Sequence, residues 1–422
     1  MNAQTINPQS LNSQSLPVTT TRQTTSSDRL FLAGGPGFAQ HRQVFGPLPS
    51  LSSAQLIDEL RASGLAGRGG SGFPAWRKLA ALDPAARGRS VIIANGAEGE
   101  PMSAKDATLL ARAPHLVIDG LLLAAASLGS GDLYLYCSGT ALDAARRALD
   151  EREDARRIQL REAPETFISG EASAVVRSIE KGVALPRDHR KRLTEAGLGG
   201  RPTLVHNVET LAQVALVARY GAHWFRSQGV DDESGTRLLT VRAPGNELRV
   251  IEVPGGITID DALRRARVDP ASLSAVLVGG YHGGWVPAQA FGTPLTRDRL
   301  APFGASPGAG IVMGLAKGSC PIQVSAQIAS YLAGQSARQC GPCVNGLPKM
   351  AETLSRLAGS HSAGGPLPAT LAQEVRRLAH IVTGRGSCHH PDGTAQLVLS
   401  TLSTFASDVD AHLAGHCEEA RA

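Results

Sequence analysis

Apolar residues along this chain follow two rhythms. Strand patterns recur at Val91–Ala94, Asp132–Cys137 and Ile158–Glu162. Helical patterns lie between and around them, at Ala104–Arg112, Pro114–Leu128 and Thr140–Asp150. Strands alternating with helices predict an α/β domain with a parallel sheet. Ligands of such sheets sit beyond the carboxyl ends of the strands. A further helix, Ala54–Ser63, follows a capping signal at Leu51-Ser52. Beyond residue 235 the pattern changes. Leu238–Arg242 and Leu248–Val253 flank Ala243-Pro244-Gly245-Asn246-Glu247, a hairpin signal, and a short helix, Asp260–Arg267, and a strand, Ala275–Val278, follow. From residue 317 the pattern is helical only. Val324, Ile328, Tyr331 and Leu332 share a face, as do Leu347, Met350, Leu354 and Leu357. The same holds for Leu371, Val375, Leu378 and Val382, and for Leu402, Phe405, Val409 and Leu413.

These rhythms divide the 422 residues into an α/β domain over 28–235, a small strand-strand-helix-strand domain over 236–316 with the order of a β-grasp, and a helical bundle over 317–422. Residues 1–27 are polar, with Arg22 the only charged side chain, and predict a disordered tail. Charge is mild, +5 net, and no aromatic–basic module appears, so nucleic acid is not the expected partner. No apolar run reaches the ~18–20 residues that span a bilayer, and Leu121–Leu128 reads as a buried helix. Six cysteines, two of them in Cys340-x-x-Cys343, suit metal or redox chemistry in a cytoplasmic protein better than a disulfide scaffold.

The candidate chemistry centres on Gly64–Lys78, GLAGRGGSGFPAWRK, with five glycines between positions 64 and 72. Glycine lets a ligand approach the backbone, and successive amides form an anion-binding nest. Pro74 suits the first turn of a helix, and Lys78 adds a full charge. This reads as a phosphate cradle: main-chain amides of residues 67–72 backed by one ammonium. The plainer alternative is a mobile glycine loop. Downstream, the strand ending at Ala94 runs into Asn95-Gly96-Ala97-Glu98-Gly99-Glu100-Pro101.

The two runs, AGRGGSGFPAWRKL and NGAEGEP, resemble the flavin-binding half of the NADH-oxidising subunit of respiratory complex I, a module shared with diaphorase subunits of soluble hydrogenases and formate dehydrogenases. The resemblance resumes at Phe167–Arg187, at Pro202–Thr210 and at Ser336–Cys343. It implies a Rossmann-like FMN-binding domain, a β-grasp domain of the soluble-ligand-binding (SLBB) type, and a helical iron–sulfur domain. It also implies an oxidoreductase that passes electrons from NAD(P)H or a protein donor through FMN to a 4Fe-4S cluster and an iron–sulfur or ferredoxin-like partner subunit. A scaffold with degenerate redox sites, or a nucleotide-binding module, is the alternative. By the resemblance, Gly67, Arg68, Gly69, Gly70, Gly72 and Lys78 face the ribityl phosphate or its surroundings. Asn95 faces the ring or ribityl chain, Gly170 and Glu171 the isoalloxazine, and His206 and Asn207 the phosphate region, where the family usually has Asn-Asn. Phe73 and Glu100 persist from the nucleotide-binding set, and Glu98 is a candidate catalytic carboxylate. For Asn207 and Thr210 the plainer alternative is turn formation and helix capping before Leu211–Val217.

The departures concern NADH and the cluster. Ala97 replaces an acid, Phe167 a tyrosine and Ala172 a second glutamate. The Arg187–Arg192 segment lacks the aromatic that stacks on adenine in the family, a contact worth about 1–3 kcal/mol. FMN is therefore expected more firmly than NAD(H), and the basic segment could dock an acidic carrier or be a solvated loop. Cys340, Cys343 and Cys388 match three cluster ligands, whereas Ala337 stands at the first. Four thiolates are normal for such clusters. The outcomes left open are a site-open iron, an outside ligand such as His389 or Cys320, a three-iron cluster, zinc, or free thiols. Cys137 reads as a small buried hydrophobe and Cys417 as a tail thiol.

Overall fold

The computed structural model describes residues 28–82, 90–187, 191–245, 247–359 and 365–417. The tail 1–27 and Asp188–Arg190 of the basic segment lie outside the described residues. The chain first forms α1 (Phe38–Phe45), α2 (Ser53–Ser63) and α3 (Ala75–Ala80). Ser52 and Gln55 make a reciprocal capping box at α2, and Gly64 closes it in the left-handed conformation.

A parallel sheet follows, with strand order β3-β2-β1-β4. Its strands are β1 (Val91–Gly96), β2 (Asp132–Ser138), β3 (Ile158–Ala163) and β4 (Thr203–Asn207). Val91 pairs with Asp132 on one side and Thr203 on the other. The crossovers carry α4 (Lys105–Arg112), α5 (Pro114–Leu128), α6 (Gly139–Asp150) and α7 (Ala172–Lys181), and α8 (Val208–Arg226) leaves β4. Val91, Ile92 and Ile93 are fully buried because helices cover both faces of this sheet. Helix α5 is buried along almost its whole length. It packs on α8 so closely that a Cβ at Gly120 would lie 1.9 Å from the Leu211 carbonyl oxygen. Among the described residues no single helix is long and apolar enough to cross a membrane.

After a two-strand ladder, β5 (Gly229–Val230) and β6 (Glu233–Ser234), comes a second sheet of order β10-β9-β11-β7-β8. Strands β7 (Thr236–Arg242) and β8 (Leu248–Pro254) form the expected hairpin. Helix α9 (Ile259–Arg265) and β9 (Leu273–Val278) match the sequence pattern. Strands β10 (Gly284–Pro287) and β11 (Ile311–Ala316) do not: Gly283 and Gly314 interrupt any apolar rhythm there. Strand β11 runs parallel to β7 and antiparallel to β9, filling the centre of the sheet. The short helix α10 (Arg297–Leu300) lies between β10 and β11.

Helices α11 (Pro321–Gly334), α12 (Leu347–Ala358), α13 (Thr370–Val382), α14 (His390–Thr404) and α15 (Ala406–Leu413) form the bundle. It packs on the second sheet, with Trp285, Met313 and Leu315 sharing a core with Leu332, Leu354 and Val398. Trp285 Nε1 donates to Ser325 Oγ at 3.0 Å. The two sheets are also tied together. Ala104 N donates to Thr240 Oγ1 (3.1 Å) and Leu238 N to Glu209 Oε1 (2.8 Å). At the edge, Arg29 N and Leu30 N both donate to the buried Glu252 carboxylate.

Candidate functional site

The glycine run folds into a loop closed at its neck. Ala66 bridges Pro74, Gly67 N donates to Phe73 O (2.9 Å) and Ala75 N to Leu65 O (3.0 Å). Gly70 (φ +112°) and Gly72 (φ +63°) occupy conformations that side-chain-bearing residues avoid. The amides of residues 67–72 are not equivalent. Gly67 N is held by the neck, and Arg68 N donates to Thr210 Oγ1 at 2.9 Å. Among the described residues the amides of Gly69, Gly70, Ser71 and Gly72 meet no acceptor. Phe73 stands 42% exposed at the loop's end. Helix α3 has only six residues, with Pro74 as its N-cap rather than its first turn, so its dipole is a minor contribution.

The side chain of Arg68 turns away from this loop. It is 2% exposed and donates to Glu233 Oε2 (2.8 Å), Ser234 O and Thr236 O. Both terminal nitrogens of this buried guanidinium are engaged by a carboxylate and two carbonyls, while Nε has no partner among the described residues. Lys78 is the opposite case. Its Nζ donates to Val205 O at 3.2 Å, and no carboxylate pairs with it among the described residues. Burial lowers its pKa. His206 is buried on β4; burial first, then the Lys78 charge, push it down to about 3, against a hydrogen bond to the Ala75 main chain. It is neutral at neutral pH. Gly69 lies against Asn207, where a Cβ would come within 3.1 Å of the Asn207 Cβ. The carboxyl end of β4 thus carries Lys78 and the glycine loop together. Lys78 reaches this strand end through Val205 and the glycine loop reaches it through Asn207. Arg297 of α10, which has no distinguishing sequence context, reaches across to donate to Ser71 O at 2.9 Å.

The acidic segment after β1 is engaged within the protein. Glu98 accepts from Ser103 Oγ (2.6 Å), Asp106 N (3.0 Å) and Ala107 N (2.9 Å), which makes it the cap of α4. Both of its oxygens are engaged within the protein. Asn95 Nδ2 donates to Gly170 O (2.9 Å) and its Oδ1 accepts from Ala97 N (3.2 Å), so it braces two loops. Gly99 must be glycine, because a Cβ would sit 2.3 Å from Phe167 O. Gly170 packs on Ala97, and Glu171 caps α7 through Ser173 N and Ala174 N. Asn207 caps α8 through Glu209 N, and its Nδ2 donates to Asp106 Oδ2 at 2.6 Å. The helix-capping alternative therefore describes Asn207, while Thr210 accepts from the glycine loop.

Beneath these caps lies a buried network that the motifs do not announce. Lys105 Nζ bridges Asp106 (2.7 Å) and Glu209 (2.9 Å). Burial opposes its charge, but the two carboxylates hold its pKa above the usual value. Burial pushes Asp106 up to about 7 against the pull of Lys105, with Glu98 adding to the rise. Only the adjacent Lys105-Asp106 pair was visible in sequence; Glu209 arrives through the fold. Glu100 is different again. Burial pushes it up to about 8, against hydrogen bonds from the Tyr281 and Met102 main chain. One oxygen accepts from Tyr281 N (3.1 Å), and the other is buried without a partner among the described residues.

Cys340, Cys343 and Cys388 converge at the far end of α11, where Pro342–Gly346 forms a π-helical turn, a local irregularity frequent at functional sites. Burial works against ionisation at Cys340, yet hydrogen bonds from Ser387 and Cys343 hold its pKa below the usual thiol value. Burial, then the hydrogen bond and charge of Cys340, push Cys343 up to about 12. Burial also raises Cys388, with further contributions from Glu171 and Cys340, which puts the thiols beside the cap of α7. Ala337 offers no ligand. His389 does not supply a fourth from within, since its side chain is 96% exposed. Cys320 caps the opposite end of α11, 14 residues or about 21 Å away at helical rise. Three converging thiols fit three of the four positions of a cubane cluster. Between the thiols and the Gly170 loop, Phe167 contacts His282 and His390, whose rings approach at 3.2 Å.

Comparison with known proteins agrees with this arrangement. A model of the Nuo51 FMN-binding domain matches residues 60–216, and a model of the NADH-ubiquinone oxidoreductase-F iron-sulfur binding region matches residues 323–412. The second F-type subunit of the NADH-quinone oxidoreductase of Rhizobium meliloti (strain 1021) is 26% identical over 400 residues, 90% of this chain and 93% of the relative. The F-type subunit of the NADH-quinone oxidoreductase of Rickettsia felis is 27% identical over 380 residues, 85% of this chain and 89% of the relative. A chain of an NAD+-reducing NiFe hydrogenase in the air-oxidized state superposes with a TM-score of 0.76 at 28% identity, covering 86% of this chain. The present chain spans 64% of that hydrogenase chain. The chain thus carries a Nuo51-type FMN-binding region at residues 60–216 and an NADH-ubiquinone oxidoreductase-F iron-sulfur binding region at residues 323–412, and over most of its length it is similar to F-type subunits of NADH-quinone oxidoreductases.

Proposed function

We propose that this protein is a flavin-dependent electron-transfer subunit whose cofactor phosphate rests on the Gly69–Gly72 amides and Lys78. The observation that carries this reading is Lys78: a half-buried ammonium with no carboxylate partner among the described residues shares the end of β4 with loop amides that meet no acceptor, a donor set that suits an anion. FMN, when bound, supplies acceptance of a hydride and release of single electrons. The chain's residues do the rest. Arg68, Asn95, Glu98, Glu171 and Asn207 hold the loops that surround the site. Neutral His206 presents a ring without adding charge. The buried oxygen of Glu100 awaits a polar group from a ligand, and a proton on it at neutral pH would let it donate.

Electrons would leave through a cluster held by Cys340, Cys343 and Cys388, with the fourth ligand supplied from outside these three residues, and pass to an iron–sulfur or ferredoxin-like partner. NAD(P)H is the donor that the similarity to F-type subunits favours, weakened by the missing adenine stack. The test is anaerobic purification with flavin, iron and sulfide analysis, followed by titration with NADH and NADPH. Bound FMN that bleaches with either nucleotide supports the reading. A chain that takes up no FMN sinks it, and leaves the degenerate scaffold.

A further inference from the structure

A second group of metal-type ligands lies outside everything described above. Cys320, His412 and Cys417 bring one ligand atom each to within 4.8 Å of one another. They come from three places: the N-cap of α11, the last turn of α15, and the segment after α15. The Cys320 Sγ lies 3.3 Å from His412 Nε2. His412 is 1% and Cys417 5% exposed, and Cys320 is half-buried.

The imidazole is already oriented. His412 Nδ1 lies 3.0 Å from the Leu357 carbonyl at the end of α12, an acceptor only. The ring proton therefore sits on Nδ1, and Nε2 directs its lone pair at the thiol. This is the outer contact that metal-bound histidines characteristically make. With zinc–sulfur near 2.3 Å and zinc–nitrogen near 2.0 Å, neighbouring ligands of a tetrahedron stand about 3.4–3.8 Å apart. The spacing here needs only small movements to reach that. Borderline-soft thiolate and imidazole donors select zinc over calcium or magnesium.

We propose that Cys320, His412 and Cys417 form a zinc site that fastens the last helix to the bundle. Binding releases the two thiol protons and leaves a fourth position for water. The need for a fastener is physical. Helix α15 has eight residues, too few to persist without tertiary support. The metal joins it to the start of α11, while the histidine's other nitrogen reaches α12. This site is distinct from Cys340, Cys343 and Cys388, because α11 separates the two groups.

The test uses the full chain, purified under reductant, and a variant in which Cys340, Cys343 and Cys388 are all serine. Zinc is added alone and counted after gel filtration. The expected result is about one zinc per chain held by the triple variant, falling to about a tenth or less when Cys417→Ala is added. Two fewer thiols of the triple variant should react with a thiol reagent until a chelator is added, a readout that does not depend on any variant at the new site folding. Cobalt(II) in place of zinc should give thiolate charge-transfer absorption that Cys417→Ala abolishes. No zinc uptake by the triple variant, zinc that survives Cys417→Ala, or a Cys320–Cys417 disulfide in the reduced preparation would each overturn the proposal.

Discussion

The two ends of the proposed electron path are incomplete in opposite senses. At the glycine loop the chain offers more donors than it uses: the Gly69–Gly72 amides meet no acceptor and Lys78 meets no carboxylate among the described residues. At Cys340, Cys343 and Cys388 it offers fewer than a cubane cluster takes, with Ala337 where a thiol is expected. The first end shows how to separate ligand-binding residues from their supports within one motif. Arg68, Asn95, Glu98, Glu171 and Asn207 are engaged inside the protein, so they brace the loops, and the groups that remain unpartnered are the ones proposed to meet the cofactor. The second end shows that convergence alone does not complete a site.

Five experiments bear on this contrast. The largest effect is expected from Ala337→Cys, which supplies the missing thiol: reconstituted protein should pass from an incomplete or oxygen-labile centre to a stable one with about four irons, read by iron analysis and electron paramagnetic resonance. Equal iron content in both proteins would mean that another group already fills the fourth position. Next is Lys78→Met. FMN affinity should fall about 10- to 100-fold with the loss of a charge-assisted hydrogen bond. The flavin-free variant should nonetheless melt higher than the flavin-free parent, since a half-buried charge without a carboxylate partner is gone. A lower melting point with unchanged affinity would make Lys78 a structural residue.

Glu100 tests the seam between the sheets by pH. Its folded pKa is raised, so the folded state holds the proton longer than the unfolded one. Stability should therefore fall as pH rises from about 4.5 to about 8. Glu100→Gln should flatten that decline, by up to about 5 kcal/mol, measured by urea unfolding at several pH values in the absence of flavin. Removing a helix cap, Glu98→Ala, should cost about 1–2 kcal/mol of stability, with flavin reduction kinetics intact once folded; a selective loss of reduction rate would restore Glu98 as a catalytic group. The smallest effect belongs to Arg297→Ala. An exposed contact to Ser71 O should change FMN affinity by about threefold or less and stability by under about 0.5 kcal/mol.

Much of the architecture was legible because strand patterns alternate with helical ones, and β1, β2, β3 and the intervening helices appear where the periodicity puts them. Strand β4 went unread because its residues, Thr203–Asn207, drew attention as a motif. Strands β10 and β11 went unread because glycine breaks their pattern. At the site, residue types were a good guide to location and a poor guide to role. Arginine beside a glycine loop suggests an anion, but Arg68 answers to Glu233, a partner 165 positions away. Lys105 and Arg297 were missed for the same reason: their partners are set by tertiary structure. The proximity of Cys320 to Cys417 likewise follows from the bundle closing on itself.

The stitching between the two sheets has a mechanical consequence. Buried side-chain acceptors on one sheet's side take main-chain amides from the other at Ala104, Leu238, Arg29 and Leu30, and Arg68 reaches carbonyls on both sides of Gly235. The join near residue 235, obvious as a change of composition, is therefore no hinge. Opening it would strand several polar groups away from water at once, so the two sheets move as one body.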